Sequence, residues 1–249
     1  MTDLLPGAEP FAASGGPVGA LVLHGFTGSP QSVRPLAEAF AAAGYTVELP
    51  RLPGHGTSVD DMLTTDWSDW SAAVEAAYAE LAGRCQRVVV TGLSMGGTLT
   101  LWLASRQPEI AGIVPINAAA QADQESAAGI RAFVESGAEV MDAIGGDVAD
   151  PDVVELAYEQ APLRPLLSLW EAVEQLDLAA ITCPALVVVS TQDHVVDPGS
   201  SEHIAARVSG SVETLVLERS YHVATLDYDK DLIAERAIAF ADRVTGRRG

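Results

Sequence analysis

Val88-Val89-Val90 runs through Thr91 into Gly92-Leu93-Ser94-Met95-Gly96-Gly97, and the helix-like Thr98-Leu99-Thr100-Leu101-Trp102-Leu103 follows at once. A strand, a turn too tight to be a loop, and a helix leave few folds open. Glycines two positions either side of Ser94 let the backbone fold sharply without Cβ clashes, so the serine sits on an elbow with its hydroxyl beyond the strand end. That context makes Ser94 a candidate nucleophile; without it, a Gly-Ser turn joining a core strand to a helix would explain the same letters.

Helix-period patterns alternate with short strands along most of the chain, the signature of an α/β fold. A mostly parallel central sheet with helices on both faces is expected. Val33, Leu36, Ala37 and Phe40 mark one helix face, ended by Gly44. Trp67, Trp70, Val74, Ala77, Tyr78 and Leu81 mark another, with Asp66 as its N-cap, and these aromatic stripes read as core. A last helix over 231–244 turns Ile233, Ala237, Phe240 and Val244 inward. Between Asn117 and about Asp177 the alternation stops, leaving helical patches such as Ile130–Val134 and Leu166–Trp170. The expectation is a core of residues 1–117 and 177–249 with an inserted helical cap, 118–176, and a loose Gly/Pro-rich lead-in over 1–17.

A nucleophilic serine needs a base, an acid and an oxyanion hole, and the chain offers each at a strand end. Ala20-Leu21-Val22-Leu23 runs into His24-Gly25-Phe26-Thr27-Gly28, whose Phe26 amide can form the hole together with that of Met95. Five histidines compete for the base. His24 and His55 read as residues that order their loops, His194 adjoins a candidate acid, and His203 lies on the polar face of a helix expected over 200–208. His222 follows the late strand Thr214-Leu215-Val216-Leu217 and is preferred on position. Asp193, just past the strand Pro184–Val189, is the preferred acid. Asp197, directly before Pro198, reads as a helix cap, and Asp227 is a weaker competitor.

Taken together, Leu23–Pro30, Gly54-His55-Gly56 with Asp60-Asp61, Gly92–Gly97, Ile116-Asn117-Ala118, Asp193–Val196 and Ser220–Asp229 resemble the small bacterial monoacylglycerol lipases and carboxylesterases of the α/β-hydrolase family, over about residues 18–245. The resemblance implies Ser94, Asp193 and His222 as triad, Phe26 and Met95 as oxyanion hole, and Asn117, Ile144 and Glu155 near the alcohol end of an acyl ester. Hydrolysis of a monoacylglycerol or similar single-chain ester through an acyl-enzyme is the expected activity. A broad-specificity carboxylesterase or thioesterase is the alternative, and a non-catalytic ligand-binding protein on the same scaffold stands outside the enzymes.

Composition bounds the partners. A net charge of −20, with Lys230 the only lysine, disfavours nucleic acid and anionic membranes and favours neutral substrates. Mean hydropathy is +0.20, yet no apolar run nears the length of a membrane span. The acidic start, Met1 to Glu9, lacks a signal-peptide pattern, so a cytoplasmic enzyme is expected. Cys85 and Cys183 read as free thiols. The histidines lack metal-ligand spacing and the glycines no dinucleotide fingerprint, so no cofactor or metal is expected; the oligomeric state is left open.

Overall fold

The computed structural model describes residues 3–121, 124–143 and 146–247. Its elements run β1 (Phe11–Ala13), β2 (Val18–Leu23), α1 (Arg34–Ala42), β3 (Thr46–Leu49), α2 (Val59–Met62), α3 (Trp67–Arg84), β4 (Arg87–Leu93), α4 (Met95–Arg106) and β5 (Gly112–Ile116). They continue with α5 (Gln124–Glu135), β6 (Val140–Asp142), β7 (Gln160–Pro162), α6 (Leu163–Glu174), β8 (Ala185–Ser190), α7 (Gly199–Arg207), β9 (Val212–Leu217) and α8 (Lys230–Thr245).

Seven strands form the main sheet in the order β1-β3-β2-β4-β5-β8-β9, and every pairing is parallel except β1 with β3. Because side chains alternate across a strand, a sheet covered on both faces buries both sets. Val18, Ala20 and Val22 of β2 pack on one side with Phe40 of α1 and Ile233, Ala237 and Phe240 of α8. Leu21 and Leu23 face the other way, with Trp70, Val74 and Leu81 of α3 and Leu99 and Leu103 of α4. Each such fully buried side chain contributes on the order of 2 kcal/mol. The Asp66 cap is present as a capping box: its carboxylate accepts Ser68 N at 2.7 Å while Asp69 Oδ2 accepts Asp66 N at 3.0 Å.

Two expectations change. The lead-in is not loose throughout, because Phe11–Ala13 pairs antiparallel with β3 and closes that sheet edge; three residues are too few to show a period. The insertion between β5 and β8 is not purely helical either. It holds α5 and α6 but also the antiparallel pair β6–β7. Helix α6 buries Leu163, Pro165, Leu169 and Val173 and is fastened to α3 where Ser168 Oγ accepts Trp67 N at 3.0 Å. Among the described residues, no helix is long and apolar enough to cross a membrane.

Candidate active site

Ser94 joins β4 to α4 with φ 56° and ψ −120°, a strained backbone for a residue with a Cβ. Surrounding structure holds it there. Ser94 N donates to Ile116 O at 2.9 Å, tying the elbow to the end of β5. The turn closes so tightly that a Cβ on Gly92 would lie 2.3 Å from Gly96 O, and one on Gly96 would lie 2.2 Å from Leu23 O. No other residue fits either position. Met95 is the first residue of α4, where a main-chain N–H has no acceptor within the helix. The loop after β2 packs on the same elbow: a Cβ on Gly25 would stand 3.3 Å from Ser94 Cβ.

His222 and Asp193 meet beyond the C-terminal strand ends. His222 Nδ1 lies 2.7 Å from Asp193 Oδ2, with the two side chains 8% and 2% exposed. Asp193 Oδ1 accepts Val195 N and Val196 N, each at 2.8 Å, which fixes the carboxyl group with its other oxygen towards the imidazole. With Nδ1–H donating to Asp193, the lone pair is on Nε2, the form a general base requires.

Two of the competing histidines have other tasks. His24 is buried, its Nε2 accepting Leu52 N at 3.1 Å and its Nδ1–H donating to Gly25 O at 3.0 Å. Burial, reinforced by the neighbouring His55, holds it well below the usual histidine range. His55 donates from Nδ1 to Pro53 O at 2.9 Å, and burial pushes it down to about 4. Both order their loops, as their positions suggest. His203 is half-buried on α7. Asp197 Oδ1 accepts Gly199 N at 2.7 Å at the start of α7, and the fully buried Asp227 is committed to main-chain N–H groups, among them Tyr221 N at 2.9 Å.

The alcohol-end residues divide. Asn117 is 2% exposed and its amide is committed to protein at both ends: Nδ2 donates to Ser190 Oγ at 3.0 Å and to His222 O at 2.8 Å, while Oδ1 accepts Ser190 N at 2.8 Å. The expectation that it meets the alcohol is therefore corrected. Asn117 brackets the histidine loop, with a φ of 45° that asparagine tolerates better than most residues. Glu155 lies beside the loop after β2. A Cβ on Gly28 would come within 3.1 Å of Glu155 Oε1, and Glu155 Oε2 accepts Gly146 N at 3.3 Å. Burial raises its carboxyl above the usual range, opposed by the attraction of His222 and the bond from Gly146. Ile144 lies outside the described residues.

Two contributors escape sequence reasoning. Tyr158 anchors the segment after Glu155, its hydroxyl donating to Gly54 O and accepting Thr57 N, both at 2.8 Å, while Tyr158 N donates to Thr27 O at 3.0 Å. Asp147 accepts His222 N at 3.1 Å. Neither lies in a motif, and both act through hydrogen bonds to remote loops that no local pattern encodes.

A doubly wound sheet with an elbow serine and a histidine–aspartate pair beyond its strand ends defines a serine hydrolase. The chain belongs to the alpha/beta hydrolase family, whose profile fits residues 20–236. It is 52% identical over 249 residues to a thermostable monoacylglycerol lipase of Bacillus sp. (strain H-257), covering 98% of each chain. A solved structure from work on the metagenome-derived lipolytic enzymes LipS and LipT superposes with a TM-score of 0.91 at 47% identity, over 97% of this chain and 100% of that one. The monoacylglycerol lipase of Paleococcus ferrophilus superposes with a TM-score of 0.80 over 95% and 99%, and at 17% identity it shares the fold.

Proposed function

We propose that this enzyme hydrolyses monoacylglycerols to fatty acid and glycerol, with Ser94, Asp193 and His222 as its triad. The observation that carries the reading is the 2.7 Å contact of His222 Nδ1 with Asp193, beside a strained serine fastened to the same sheet edge. The similarity to the Bacillus monoacylglycerol lipase points to the substrate class.

Ser94 Oγ attacks the ester carbonyl carbon as His222 Nε2 takes its proton. The Phe26 and Met95 N–H groups receive the oxyanion, whose charge they stabilise more in the transition state than in the ester. The tetrahedral intermediate collapses, the C–O bond to glycerol breaks, and His222 gives its proton to the departing oxygen. Water, deprotonated by the same imidazole, then releases the fatty acid. Asp193 holds the tautomer and stabilises the imidazolium throughout. In this reading Glu155, beside the Gly28 loop, pairs with a free glycerol hydroxyl. Helices α5 and α6 with the β6–β7 pair form the cap, which covers the acyl chain and excludes water from the oxyanion. The reading puts the enzyme in the cytoplasm, a compartment that suits its two free cysteines.

The test compares kcat/KM for a monoacylglycerol, the matching methyl ester and a triacylglycerol, in wild type and Ser94→Ala. Wild type should favour the monoacylglycerol, and Ser94→Ala should lose on the order of a million-fold in kcat. A tenth of wild-type activity in Ser94→Ala would end the nucleophile assignment. Equal rates on the methyl ester would make the enzyme a carboxylesterase of broad scope.

A further inference from the structure

His222 sits in a loop, yet both of its main-chain polar groups are held as firmly as those of a strand residue. Asn117 donates to its carbonyl, as described above. On the other side Asp147 accepts its N–H, and that same carboxylate oxygen, Oδ2, also accepts His194 N, each at 3.1 Å. Oδ1 takes the Nδ1–H of His194 at 2.8 Å. One carboxylate thus joins the residue next to Asp193 to His222 itself.

The connection does not rest on one side chain. Asp147 O accepts Val223 N at 3.0 Å. Two and three residues further on, Ala149 N and Asp150 N donate to the buried carboxylate of Asp227 at 2.7 and 3.1 Å, and Tyr221 N donates to it as well. The His194 ring meets Tyr221 edge-on, with centroids 4.7 Å apart. The residues on both sides of His222, and the one after Asp193, are therefore laced to residues 147–150, the strap that leads to Glu155.

We propose that Asp147 is a positioning residue of the hydrolysis: it sets the His222 imidazole against Asp193 and Ser94, and makes that setting conditional on the strap before Glu155 being seated. The physical ground is the bond type. A carboxylate accepting main-chain N–H groups forms charge-assisted hydrogen bonds, about twice as strong as neutral ones, and this carboxylate is only 11% exposed, so water competes weakly. Without it, His222 keeps its carbonyl anchor but loses its amide anchor. The imidazole is then free to drift on the scale at which a misplacement of about 1 Å costs about a hundredfold in rate.

The proposal rests on the triad reading, and the experiment separates the two. Asp147→Ala, Asp147→Asn and wild type are compared for kcat and KM on a p-nitrophenyl ester, for the rate of Ser94 labelling by a fluorophosphonate, and for Tm. Asp147→Ala should lose about tenfold to a hundredfold in kcat and in labelling rate, with KM changed less than about twofold. Asp147→Asn should recover part of that loss, because an amide oxygen still accepts both main-chain N–H groups, though without the charge, while exposed His194 switches tautomer to accept from the amide nitrogen. A lowered Tm with wild-type kcat and labelling in Asp147→Ala would make the residue structural only and overturn the proposal. So would an asparagine variant as slow as the alanine one. If Asp147→Ala does not fold, Asp147→Glu takes its place, keeping the charge but moving it by a methylene; wild-type kcat there overturns the proposal equally. A wild-type enzyme that the fluorophosphonate does not label at Ser94 defeats the triad reading instead.

Discussion

Replacing His55 with phenylalanine will flatten the acid side of the stability profile. The His55 ring is fully buried, edge-on to His24, Phe26 and Trp70 at centroid distances of 5.0, 6.4 and 5.6 Å. Its Nδ1–H is satisfied by Pro53, whereas Nε2 has no acceptor among the described residues, so a proton added there is a buried charge without a partner. Burial is the main reason it is pushed down to about 4 from 6.5, and the Arg51 charge acts the same way. The folded-state value is depressed, so folding favours the neutral ring. This stability is complete above the unfolded value and is lost as pH falls towards the folded one. Each tenfold loss of proton affinity on folding corresponds to about 1.4 kcal/mol, which makes the full contribution about 3 kcal/mol, of which about 2 kcal/mol disappears between about pH 7.5 and pH 5. Guanidinium unfolding of wild type and His55→Phe at those two pH values measures it directly. Loss of the Pro53 hydrogen bond lowers the variant by the same amount at both, while the wild type should fall further by about 2 kcal/mol on acidification. His24, depressed in the same direction, is present in both proteins. Parallel losses in the two proteins would refute the argument.

Asp193→Asn should fold and lose about four orders of magnitude in kcat through the wrong imidazole tautomer, whereas Asp197→Asn, which touches only the start of α7, should stay within about twofold of wild type. If Asp197→Asn is the slower enzyme, the acid is misassigned. Because burial raises Glu155, its ionisation opposes folding: the stability it contributes is present below its ordinary value of 4.5 and is lost as pH rises through the raised one. The Tm gain of Glu155→Gln over wild type should therefore grow from about pH 4 to pH 8, and a gain independent of pH would contradict the burial argument. In the same variant the preference for a monoacylglycerol over its methyl ester should shrink, since a site built around a hydroxyl discriminates through that pairing.

What could be read in advance was what local chemistry encodes. The elbow around Ser94 is written in adjacent glycines, the α3 start in Asp66 and Asp69, and the positions of Asp193 and His222 in strands that end just before them. The limits of α7 and α8 fell within one residue of the patterns, at Gly199–Arg207 and Lys230–Thr245. Elements held by distant partners left no such mark. β1 exists because β3 offers it an edge, and β6–β7 pairs two segments too short to carry alternation. Asn117 carried the right letter with the wrong task, since only the fold brings Ser190 and His222 to its amide. Asp147 is one acidic residue among many in a Gly- and Ala-rich stretch, and its two loops lie 47 and 75 residues away in sequence.

Consecutive residues at the end of β5 hold the main chains of Ser94 and His222: the Ile116 carbonyl receives Ser94 N and the Asn117 amide grips the His222 carbonyl. A machinist would say that both parts are gauged from one datum, so their errors do not accumulate. Surface changes on α7 and α8, which supply neither anchor, should alter Tm while leaving kcat untouched. Disturbing β5 itself moves the reference, and there the two quantities should fall together.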